Sequence, residues 1–151
     1  MNPSLRHLVF VTVTGIVGTL LLPGCGVVSF EDASTDPRYS HFVGSHYRSE
    51  KPVAIHGISM ERDYKPVLDH YTVTGIPGIR GPEVLSQKKF ESGVTVKVLR
   101  VMRCTDCFLD PGGRVEVVVE VTSSDDFTKA PVKMNIKYLE GPERTFTKIE
   151  P

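Results

Sequence analysis

An all-β domain is what this sequence predicts, and three observations predict it. Eleven prolines and thirteen glycines cut the chain into short runs, the spacing expected of turns between strands. The runs at 94–102, 114–122 and 132–138 alternate apolar and polar residues with period two, as a strand with one buried face must. Only 82–92 could hold a helix, starting at Pro82, and its apolar positions Val84, Leu85 and Phe90 fit no 3.6-residue stripe, so extended structure is expected there too. The architecture that fits is a small antiparallel barrel or sandwich of about seven short strands, in one domain over 41–151.

In chain order, the first element is a leader. Arg6 and His7 precede a mostly apolar stretch from Leu8 to Leu22, which is interrupted by Thr12, Gly15 and Thr19 and closed by Pro23 and Gly24. A spanning helix needs about 20 apolar residues, so the layout is that of a secretory signal rather than a membrane span. Its last residues, Leu22, Pro23, Gly24 and Cys25, resemble the lipobox of bacterial lipoproteins, where a branched apolar residue, a loosely specified residue and a small residue precede the cysteine. Pro23 departs from the usual Ala or Ser. The resemblance implies that residues 1–24 are removed as a signal peptide, that the sulfur of Cys25 is diacylated and that the new amine is acylated. Three acyl chains hold a protein to a membrane effectively permanently. Gly26 in place of Asp after the cysteine implies, by the same resemblance, an outer-membrane destination in a two-membrane cell. The plainer alternative is an ordinary cleaved signal, or an uncleaved anchor, with an incidental Cys25.

The chain carries 18 Lys+Arg against 18 Asp+Glu, and loss of Arg6 with the leader leaves one net negative charge. Near-neutral charge and export both argue against nucleic-acid binding, which depends on clustered cations. Residues 25–40 continue as the lipidated cysteine and a polar, turn-rich tether, "GVVSFEDASTDPRYS" with Pro37.

In the domain, "VTVKVLRVM" places Val94, Val96 and Val98 on one face and then changes phase at Leu99 and Val101, which requires a bulge or burial of both faces. "RVEVVVEVT" points Val115, Val117, Val119 and Val121 inward and Glu116, Val118 and Glu120 outward; "VKMNIKY" points Val132, Met134, Ile136 and Tyr138 inward. Weaker strand candidates are 52–58, 70–74, 83–87 and 145–149. "FESGVTVKVLRV" loosely resembles the turn-and-strand units of SH3-like barrels, which implies an architecture and no activity. The mature part also resembles small envelope lipoproteins in general, again without implying an activity.

With Cys25 assigned to lipid, Cys104 and Cys107 of "MRCTDCF" remain. An oxidising compartment favours a disulfide. Thiol–disulfide catalysis wants the C-x-x-C at the N-terminus of a helix, whereas Pro111, Gly112 and Gly113 follow closely. A zinc site wants two more ligands, and His41, His46, His56 and His70 lie elsewhere in the chain. A disulfide that staples the hairpin loop is the expectation, with an envelope thiol–disulfide or metal-dependent factor as the alternative. Other candidates are plainer. Glu116 and Glu120 would lie about 13 Å apart on a strand, too far for a glycosidase pair, and read as a solvated face. Asp69 and His70 are strand neighbours that point oppositely; Ser45, His46 and Arg48 read as a polar turn. Lys88, Lys89, Lys97, Arg100 and Arg103 could form a basic strip, or simply charge a solvated edge strand. No catalytic residue, metal or cofactor is assigned. The expected function is a non-catalytic binding or structural module of the cell envelope, held to the membrane by lipid on Cys25, with another envelope protein or a wall polymer as partner.

Overall fold

The computed structural model describes residues 28–61, 66–107 and 113–150. The leader, Cys25 and most of the "DPGG" turn lie outside the described residues. Nine strands are present among them: β1 (Phe30–Asp32), β2 (His46–Ser49), β3 (Val53–Ile58), β4 (His70–Gly75), β5 (Val84–Phe90), β6 (Thr95–Cys104), β7 (Val115–Val121), β8 (Val132–Asn135) and β9 (Phe146–Ile149), with only 3₁₀ turns besides. The fold is all-β. The strands form one sheet in the order β5-β3-β4-β8-β7-β6-β2-β9, with β1 paired to the far end of β6. Its hydrogen-bonded path is open, ending at β5 and β9.

The alternating valines determine which face is inside. Val96 and Val98 of β6, Val117 and Val119 of β7, Ile55 of β3, Val73 of β4 and Phe146 of β9 share one buried cluster. For both halves of the sheet to contribute to one core, the twisted sheet must curl with its valine face inward. The phase change in β6 is a bulge: Val98 pairs with Val119 and Arg100 with Val118, skipping Leu99. The skipped Leu99 is 44% exposed, and Val98 and Val101 both stay in the core. The stretch 82–92 contains β5, an edge strand whose exposed Lys88 and Lys89 discourage pairing with other chains.

Several expectations are corrected. The tether assigned to 25–40 contains β1, whose Phe30, Glu31 and Asp32 pair with Cys104, Arg103 and Met102, and Ala33 is buried behind it. The run "FED" has one apolar residue and no periodicity, so only its long-range partner reveals it. The same holds for β2, expected as a polar turn: Tyr47 and Ser49 are its buried residues, and the strand bridges β6 and β9. The sheet is not wholly antiparallel, because β4 and β8 run parallel. The strand expected over 132–138 ends at Asn135, whose side chain accepts a hydrogen bond from Lys137 N–H at 3.0 Å and starts a 3₁₀ turn.

Candidate functional site

Cys104 is the last residue of β6, and its backbone N–H donates to Arg114 O at 2.8 Å, within the ladder to β7. It forms a disulfide with Cys107 across a Cα–Cα distance of 5.8 Å. The next residue, Thr105, donates from both its N–H (2.9 Å) and its Oγ1 (3.2 Å) to Ser29 O. Beside it, the Arg103 guanidinium pairs with Glu31 and reaches Asp36 at 3.8 Å. The ring therefore joins the end of β6 to the entry of β1. Cys104 sits on a strand end, and among the described residues no helix starts beside it whose dipole would favour a thiolate. Replacing both cysteines by serine is expected to lower stability by about 2 kcal/mol, the chain-entropy value for so short a loop. Urea unfolding of the double variant checks this; a loss as large as that of a core cavity would show that the ring organises more than its own turn.

The outward face of β3, β4, β8 and β7 forms a cleft of about 640 Å³. Strand register assembles it: Ile58 lies opposite His70, and Thr72 lies between His56 of β3 and Lys133 of β8. Lys133 in turn lies opposite Val118, and Asn135 opposite Glu116. Val28, Phe30 and Met60 line the cleft as well. Glu116 accepts an ion pair from Arg114 at 2.5 Å, and Arg114 also lies over the Phe30 ring at 6.0 Å. Burial lowers the His70 pKa below its ordinary value, and the nearby Lys133 charge adds to this. His70 is thus neutral at neutral pH. Lys133, half-buried in the cleft, has no ion-pair partner among the described residues.

A second depression of about 570 Å³ adjoins the first; both are lined by Thr74, Ile79 and Tyr138. Between them the turn 76–81 covers His56, which is fully buried. Ile79 N–H donates to His56 Nε2 at 3.5 Å and Thr74 Oγ1 lies 3.1 Å from the same nitrogen. Nε2 is then an acceptor and the proton is on Nδ1, which has no partner among the described residues. Burial also lowers the pKa of His56. Gly78 permits this approach: its φ is +89°, and a Cβ there would come within 2.8 Å of the His56 ring.

The structure brings His56 and His70 to one sheet face but leaves His41 on a 3₁₀ turn and His46 on β2. Among the described residues, no group of three or more His, Cys, Asp or Glu is placed to hold a metal ion. Asp69 does not orient His70; its carboxylate accepts Met60 N–H at 2.6 Å and closes the β3–β4 connection. Ser45 Oγ donates to His41 O at 3.0 Å, ahead of β2 rather than at an open turn. The basic strip is not formed: Lys88 and Lys89 are on β5, whereas Lys97, Arg100 and Arg103 are on β6, with four strands between the two in the sheet. Lys88 pairs with Asp126 instead. Glu120 is exposed as expected, but Glu116 is 8% exposed and Val118 7%, so that face of β7 is solvated at one end only. Lys133 and Arg114 were not candidates, and no signal marks them, since an outward Lys between Val132 and Met134 looks like any solvated strand residue.

No known family model matches the chain, and neither a curated protein nor a solved structure shows a significant match.

Proposed function

We propose that this protein is a lipid-anchored lipoprotein of the bacterial cell envelope whose β domain is a non-catalytic binding module. The observation that carries the anchor is the lipobox-like run Leu22–Pro23–Gly24–Cys25 at the end of an apolar leader. The cleft supports the binding role, because it combines Lys133, which has no ion-pair partner among the described residues, and the hydroxyl of Thr72 with apolar walls, the mixture usual in sites that fix an orientation through a few polar groups. Its partner is another envelope protein or a wall polymer, and Gly26 favours the outer membrane. The alternative, a thiol–disulfide factor, is weakened by the position of Cys104 in a β ladder.

Growth with a labelled fatty acid tests the anchor: wild type takes the label, Cys25→Ala loses it, and density fractionation finds the wild type with outer membrane. A labelled Cys25→Ala protein would remove the anchor from the proposal. A photo-crosslinking amino acid at Thr72 is expected to give a discrete adduct with envelope material that the same group at Glu150, on the exposed C-terminal stretch, does not. Equal adducts from both positions would argue against the cleft as the binding surface.

A further inference from the structure

The turn over His56 is lightly held. It lies between the cleft and the adjoining depression: Ile76, Pro77, Gly78 and Ile79 line the depression, and Ile79 lines the cleft as well. Among the described residues, the bond from Ile79 N–H to His56 Nε2, long at 3.5 Å, is the one hydrogen bond between residues 76–80 and the strands beneath. The imidazole is fully buried, and its Nδ1 has no hydrogen-bond partner among the described residues. A buried polar hydrogen without an acceptor is costly, so the closed turn carries a cost that opening would relieve.

Only the neutral ring suits this arrangement, because an imidazolium carries a hydrogen on both nitrogens. Thr74 Oγ1, 3.1 Å from Nε2, can accept the added hydrogen, but Ile79 N–H then faces a donor and Nδ1–H still lacks an acceptor. No carboxylate compensates. The charged or titratable side chains around His56 are His70 of β4, Lys89 of β5, Arg80 of the turn, Glu83 just after it, and Lys51 and Glu143 on the wall of the depression; none makes a hydrogen bond or ion pair with the ring. Lys88 of β5 pairs with Asp126 instead, and Gln87 is the β5 residue opposite His56. Burial is what lowers the His56 pKa. With the turn open, the ring meets water and regains an ordinary pKa of about 6.5. The open form therefore takes up a proton that the closed form refuses, and its population rises as pH falls below that value.

We propose that residues 76–81 form an acid-released flap: protonation of His56 breaks its bond to Ile79 N–H, the turn lifts, and the cleft and the depression become one longer groove. Its bearing on binding rests on the cleft reading above, but the movement is measured without a partner, so the two fail separately. The test is amide hydrogen exchange of the full-length protein in detergent micelles, read by mass spectrometry and corrected for the intrinsic pH dependence of exchange. Between about pH 7.5 and about pH 5.5, protection of the 76–81 segment is expected to fall by up to about ten-fold, the shift available one pH unit below an ordinary histidine pKa, while β6 and β7 keep theirs. His56→Gln, whose amide oxygen can accept Ile79 N–H at either pH, is expected to remove the response, and His70→Gln to retain it. Gly78→Ala, whose Cβ would come within 2.8 Å of the ring at a φ of +89°, is expected to show the low protection already at about pH 7.5. Wild-type protection of the turn that does not change with pH overturns the flap, as does an equal loss in His56→Gln or a loss shared by all strands. Wild-type protection in Gly78→Ala also overturns it, and this variant decides the matter if His56→Gln does not fold.

Discussion

Val117→Asp is expected to unfold the domain, whereas Glu120→Lys changes its stability by no more than about 0.5 kcal/mol. Val117 is fully buried, between Val101 of β6 and Met134 of β8. A carboxylate there would have no partner, and a buried unpaired charge costs several kcal/mol, comparable with the 5–15 kcal/mol that holds a typical domain together. Glu120 is exposed opposite Lys97, so the reversed charge meets water and a neighbouring cation that can move away. Glu116→Lys is expected to fall between the two, because it breaks the Arg114 pair and puts a second cation beside that guanidinium. Thermal unfolding followed by circular dichroism orders the three variants. Equal melting temperatures for Val117→Asp and Glu120→Lys would mean that the inward face of β7 has been assigned to the wrong residues.

Phe146→Ala is expected to cost about 3–5 kcal/mol, the range for removing a fully buried aromatic ring. Phe146 is 1% exposed, although it sits on β9, at the edge of the sheet and paired, among the described residues, only with β2. Its ring belongs to the same cluster as Ile55, Val73 and Val96, so the last strand closes the core of the whole sheet rather than decorating its margin. Lys148→Ala, on the exposed side of the same strand, should be nearly neutral. In urea, the Phe146→Ala midpoint should fall with an unchanged slope, as for a loss of stability without a change in the surface exposed on unfolding. Midpoints of both variants matching wild type would show that β9 is not docked.

The parts of this fold that were legible are those with local periodicity. The valine alternation of β6, β7 and β8 located three strands and their inner face, and the break at Leu99 located the bulge. The candidate site was much less legible. Glu116 was read as solvated because a strand pattern tells which residues share a face and not what covers it; here Arg114 covers it. His56 looked like one of several scattered histidines until the turn 76–81 closed over it. The supposed basic strip failed for a related reason, since β5 and β6 follow each other in the chain but not in the sheet.

By itself, then, the sequence determined the all-β class, the residues that face the core of its strongest strands, a disulfide-compatible cysteine pair, and a leader that resembles a lipoprotein signal. These depend on near neighbours: side chains alternate every residue along a strand, and cysteines three apart are within reach of each other. Only the tertiary structure decided the strand order, the parallel pairing of β4 with β8, the docking of β1 beside the disulfide, and the meeting of His70, Lys133 and Glu116 on one face. Each of these joins residues distant in the chain, and such contacts are settled by which arrangement lets every valine face close on a single core.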